Sequence, residues 1–129
     1  MLDPEKAYNG FAVDDVQKAK EFYEETLGLN ASFVDRGQQL LQLEVGGGTP
    51  TLVYTKPDFS PATYTVLNFP VSDVEGTVDE LTARGVAFER YDEFDQDEKG
   101  IFEGGQERGP TIAWFTDPVG NVLAVHEIA

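Results

Sequence analysis

The stretch Thr111-Ile112-Ala113-Trp114-Phe115-Thr116-Asp117-Pro118-Val119-Gly120-Asn121-Val122-Leu123-Ala124-Val125-His126-Glu127 decides how the rest of the chain is read. Its first six residues are rich in β-branched and aromatic side chains, and its last seven form a second apolar run of strand length. Between the runs, Asp117 can accept from the backbone two residues on, Pro118 presets φ at the first corner, and Gly120 can take positive φ. The spacing predicts a hairpin pairing residues 111–116 with 121–127.

Upstream of the hairpin, residues 92–110 are acidic, glycine-bearing and irregular. A loop this long is either a lid or binding loop, or a disordered edge with Ile101 and Phe102 tucked against the domain. Residues 86–91 have strand composition. Before them, Asp73 is placed as a helix N-cap for a stripe of Val74, Thr77, Val78 and Leu81 that ends near Gly85. Residues 64–71 read as a strand.

The same order occurs once more at the start of the chain. Phe11-Ala12-Val13-Asp14-Asp15-Val16 matches Phe69-Pro70-Val71-Ser72-Asp73-Val74. Residues 8–13 predict a strand, and Asp15 a cap for the stripe Val16, Ala19, Phe22, Tyr23 and Leu27, with Gly28 at its end. Strands follow at 29–34, 38–45 and 51–55, separated by Asp35-Arg36-Gly37 and Gly46-Gly47-Gly48. The glycine triplet lacks the Lys and Ser or Thr of a phosphate loop. Each half therefore reads strand, helix, three strands, a duplication across one α+β domain of residues 1–129. Module one covers about 6–56 and module two about 63–128, joined by a Pro-bearing connector.

A net charge of −15 on 129 residues opposes nucleic acid and anionic membrane as partners, because both need clustered Lys and Arg. It suits a cationic ligand, or simply an acidic surface for solubility or for high salt. With no cysteine there is no disulfide, thiol nucleophile or thiolate metal site. Met1-Leu2-Asp3-Pro4-Glu5-Lys6 lacks the basic and apolar regions of a secretory signal, so a cytoplasmic location is expected.

Trp114 to Val125, with its Asp117-Pro118-Val119-Gly120 turn, resembles the last hairpin of the vicinal oxygen chelate superfamily. The duplicated modules extend that resemblance over essentially the whole chain. The superfamily contains glyoxalases, bleomycin-resistance proteins, extradiol dioxygenases and fosfomycin-resistance enzymes. What the resemblance implies is two βαβββ modules forming a curved sheet around a cavity, helices on the convex side, and a homodimer. Metal-dependent members carry His or Glu on the first and last strand of each module; carried over, these positions are Tyr8, Val53, Val66 and Ala124. Three are hydrocarbon, and a neutral Tyr is a poor ligand for divalent ions. No metal and no other cofactor is therefore expected, and glyoxalase or dioxygenase chemistry would lack its Lewis acid.

Period-two alternation assigns faces. Phe11, Val13, Leu52, Tyr54, Leu67, Phe69, Val71, Leu123 and Val125 are expected to meet the helices. Tyr8, Val53, Tyr64, Val66, Asn68, Ala124 and His126 then face the cavity, joined by Gln42 and Glu44, with Trp114 as a stacking surface or a core residue. These ten are the candidate ligand-binding residues. His126, the sole histidine, is the one candidate proton carrier, set against the plainer reading of a strand-end residue at a rim or dimer contact.

Three functions follow. The first is a metal-independent small-molecule-binding protein of the glyoxalase/bleomycin-resistance type, sequestering an organic ligand whose charge would suitably be positive. The second is a glyoxalase-like lyase or related enzyme with non-standard residues such as His126, Glu44 or Tyr8. The third is a degenerate scaffold for dimer or partner contact.

Overall fold

Asp15 and Asp73 start helices in both halves. The Asp15 carboxylate accepts from the Gln17 and Lys18 N–H groups at 2.9 and 3.4 Å, and α1 runs Val16–Glu21. The coil then widens into a π-helical turn, Phe22–Thr26, before the chain leaves at Gly28. Asp73 accepts from Gly76 N–H at 3.1 Å, and the Thr77 hydroxyl donates to the Asp73 carbonyl at 2.8 Å, opening α2 at Val74–Ala83. Such caps satisfy N–H groups that a helix start leaves orphaned, and contribute about 1 kcal/mol each.

The structure is a computed structural model describing residues 1–46 and 48–127, in two compact units, Met1–Pro61 and Ala62–Ala129. Gly47 of the predicted glycine turn and residue 128, the predicted end of module two, lie outside the described residues. Each unit is a four-stranded mixed sheet flanked by one helix, so the chain is α+β with a duplicated βαβββ order. No helix among the described residues is long and apolar enough to cross a membrane.

In the first unit, β1 (Gly10–Val13), β2 (Asn30–Asp35), β3 (Gln39–Glu44) and β4 (Thr51–Thr55) are ordered β1-β4-β3-β2. β1 runs parallel to β4 and the other pairs are antiparallel. The register aligns Phe11 with Val53 and Val53 with Leu41, which places these three on one face. That face meets the helix: the Phe11 ring centroid lies 5.9 Å from that of Tyr23, and Phe11, Val13, Leu41, Leu43, Val53 and Tyr23 are all buried.

The register corrects the expected phase of β4. Alternation alone puts Val53 in the cavity and Leu52 and Tyr54 on the helix side, and the structure has the reverse. All five residues of β4 are apolar or Thr, so alternation carries little contrast, and the neighbouring strands β1 and β3 choose the face. Strand β1 also starts two residues later than expected, leaving Tyr8 before it and 58% exposed.

In the second unit, β5 (Thr65–Val71), β6 (Ile101–Phe102), β7 (Ile112–Thr116) and β8 (Val122–Glu127) are ordered β5-β8-β7-β6. The predicted hairpin is β7–β8, in register from Ile112–His126 to Thr116–Val122. At its turn Gly120 takes φ +99°, and the Asp117 carboxylate, 3% exposed, accepts from Val119 N–H, Asn121 N–H and the Asn121 amide at 3.2, 2.8 and 3.2 Å. Asn121 in turn accepts from Ala62 N–H at 3.0 Å, tying the turn to the chain entering β5.

The predicted strand over 86–91 does not form. Phe88 makes a single bridge to Phe115, Glu89 N–H donates to the Trp114 carbonyl, and the short β6 pairs with the other end of β7. Gln96 explains the substitution. Its amide donates to the Glu89 and Gly100 carbonyls at 2.9 and 2.7 Å, and its oxygen accepts from Tyr91 N–H at 2.7 Å. One side chain thus satisfies backbone groups that a ladder would otherwise have to pair.

Candidate functional site

β8 brings together most of the candidates in the second unit. Ala124 stands in register with Asn68 on β5 and Trp114 on β7, and His126 with Pro70 and Ile112. These side chains share the face turned away from α2. The alternate residue Glu127 fixes that orientation, because its carboxylate accepts from Val74 N–H at the start of α2, 3.1 Å away. Val66 is skipped by a register shift between Thr65 and Leu67, so it holds no ladder position beside Ala124. Tyr64 precedes β5 and is 71% exposed.

Trp114 is the centre of a ring cluster built from Tyr91 and the long loop that follows it. Phe94 stacks on it with centroids 5.0 Å apart and planes 23° off parallel, while Tyr91 meets it edge-on at 5.4 Å. Phe102 meets Phe94 edge-on at 5.5 Å, and the Arg108 guanidinium carbon lies 4.8 Å from the Phe102 centroid. Each well-placed ring pair is worth about 0.5–1.5 kcal/mol beyond its buried area. Burial, with the nearby carboxylates of Glu89 and Glu93, holds the Tyr91 phenol above its ordinary value. The loop that reads as irregular in sequence therefore lays two rings, Phe94 and Phe102, and a cation over this face, with Tyr91 added from just before it. The signal was present as Phe94 and Phe102, two large apolar side chains in an otherwise acidic run.

In the first unit, Gln42 and Glu44 lie on the face turned away from the helix, in the company of Ala12 and Tyr54, and the Gln42 amide donates to the Glu44 carboxylate at 3.0 Å. Tyr54 and Leu52 belong to this face, contrary to the expectation from alternation. Val53, buried beneath the helix, does not.

His126 is half-buried, and its Nδ1 lies 3.4 Å from the Glu127 carbonyl. The Glu127 carboxylate is committed to the helix start, and among the described residues no carboxylate orients the imidazole as general-base catalysis requires.

The residues present do not fit a divalent ion. Ala124 is fully buried with only a methyl group to offer, Val53 and Val66 are hydrocarbon, and Tyr8 is an exposed phenol outside the sheet. Among the described residues no three His, Cys, Asp or Glu side chains gather closely enough to hold a metal.

A cavity of about 380 Å³ lies against α2, lined by Asp79, Thr82, Phe88, Arg90, Glu98 and Lys99 among others, and by none of the candidates from sequence. In its lining Lys99 lies 2.9 Å from Asp79, and it is 3.8 Å from Glu75 outside. The hydrogen bond to Asp79 holds the ammonium above its ordinary value.

Against known proteins, residues 7–125 match the profile of the Glyoxalase/Bleomycin resistance protein/Dioxygenase superfamily. No curated protein sequence matches. Among solved structures, TnmS3, an antibiotic binding protein from Streptomyces sp. CB03234, is 25% identical with a TM-score of 0.70, covering 95% of this chain and 93% of that one. A glyoxalase/bleomycin resistance protein from the same organism is also 25% identical, with a TM-score of 0.62, covering 93% and 99%. A superfamily member from Sphaerobacter thermophilus DSM 20745, at 24% identity and a TM-score of 0.69 over 94% of each chain, shares the fold.

Proposed function

Because the chain belongs to the glyoxalase/bleomycin resistance protein/dioxygenase superfamily, we propose that it is a metal-independent binding protein that holds an organic ligand on the ring-bearing face of its second unit. The observation that carries this reading is the juxtaposition of Trp114, Phe94 and Tyr91 with Ala124. Flat apolar faces gather there, at the strand position where metal-dependent relatives would keep a carboxylate. Ligand sites are built this way, from aromatic walls with a few polar anchors, and Asn68 and His126 supply the anchors on the same face. The likeness to TnmS3, an antibiotic binding protein, supports the same reading. So does the charge of −15 for a ligand that is cationic.

A lyase working through His126 has less support, since among the described residues the imidazole has a backbone carbonyl and no carboxylate to orient it. The protein in this reading is a cytoplasmic homodimer, for which light scattering gives twice the 14.2 kDa chain mass. A thermal-shift screen with flat cationic and neutral organic compounds, repeated after exhaustive chelation, tests the function. Expected are ligands that raise Tm and quench Trp114 emission equally with and without chelator. Binding that chelation abolishes, or one tightly bound divalent ion per chain by elemental analysis, refutes it.

A further inference from the structure

Arg108 holds an unusual position for a base in so acidic a chain. It follows Glu107 directly, yet its guanidinium forms no ion pair with a carboxylate among the described residues and lies instead 4.8 Å over the Phe102 ring. Ring faces carry negative charge density and attract a cation within about 6 Å of the centroid. Phe102 is itself continuous with Phe94 and Trp114, so the cation caps one end of a chain of rings.

Its tether is slight. Arg108 is exposed and sits in a small glycine-bounded turn, closed by Gly105 N–H to the Gly109 carbonyl at 3.1 Å and Arg108 N–H to the Gly105 carbonyl at 3.2 Å. Phe94 likewise presents an outer surface, being 39% exposed.

We propose that this ring cluster is the seat for a cationic group of the ligand, a guanidinium or quaternary ammonium attached to a flat ring, and that Arg108 is its internal occupant, displaced on binding. The proposal rests on the reading above, that the second unit holds an organic ligand. In it, Arg108 is a specificity-determining residue: it screens the seat against weak cations and yields to one that also stacks on the rings.

Three naphthalene isosteres test this on the full-length protein by calorimetric titration, with emission from Trp114, the only tryptophan, reporting the site. They are 2-naphthylmethyl-trimethylammonium, 2-naphthylmethanol and 2-naphthoate. The wild type is expected to bind the cation most tightly and the anion least. Arg108→Ala is expected to tighten the cation by about two- to fivefold, the equivalent of one exposed cation–ring contact, and to leave the neutral alcohol unchanged. An anion preference in the wild type that Arg108→Ala removes would overturn the proposal. Equal binding of all three, unaffected by the variant, overturns it as well but leaves the ligand reading standing. Binding of none removes both.

Discussion

Replacing Asp117 by Ala strikes the turn that sets the register of β7 on β8, and so the alignment of Trp114 with Ala124. The substitution removes the acceptor for Val119 N–H, Asn121 N–H and the Asn121 amide at a place where Asp117 and Asn121 are 3% and 2% exposed. A hydrogen bond to a charged group contributes about 1.5–3 kcal/mol net, and because these share one carboxylate their sum falls short of additive, at about 3 kcal/mol. With an unfolding entropy of about 2.1 cal/mol/K per residue, a chain of this length loses roughly 10 °C in Tm. Scanning calorimetry, with urea unfolding followed by Trp114 emission, measures the change. Removing an acid from a chain of −15 also relieves repulsion, which works in the opposite direction. Asp92→Ala, at an exposed position, is the control for that charge effect alone. A fall in Tm below about 2 °C relative to this control would refute the assignment of the turn as the anchor of the hairpin.

The corrected phase of β4 predicts that Val53→Ala costs about 2 kcal/mol through a cavity beneath the helix, whereas Tyr54→Ala, at a partly exposed position, costs less than half as much by urea denaturation. Equal effects would refute the placement of Val53 beneath the helix. The hydrogen bond that Lys99 donates to Asp79 holds its ammonium above its ordinary 10.5, so its ion pairs stabilise the fold fully below pH 10.5 and are lost as pH rises through the raised value. The Tm difference between wild type and Lys99→Gln should therefore be flat across neutral pH and shrink above pH 10.5; a difference that grows there contradicts the pairing. Molar potassium chloride, by screening a net charge of −15, should raise Tm beyond the rise seen in a neutral control protein.

Features written in contiguous residues were legible from the sequence. Asp15 and Asp73 cap helices because a short acceptor reaches N–H groups two or three residues on, and Asp117-Pro118-Val119-Gly120 turns because its φ preferences and side-chain acceptor are local. The duplicated strand–helix order and the absence of donors at Ala124 and Val66 needed no coordinates either. Tertiary structure decided matters that depend on residues far apart in the chain. Val53 went under the helix because Phe11 and Leu41 flank it there, a choice that a strand with apolar residues on both faces does not make alone. Residues 86–91 yielded their ladder place to Ile101–Phe102 because Gln96 satisfied the backbone groups of Glu89 and Tyr91. Phe94, Phe102 and Arg108 came to the Trp114 face from a segment without periodicity. Local preference constrains such a segment weakly, and the burial of its rings against the sheet determines where it lies.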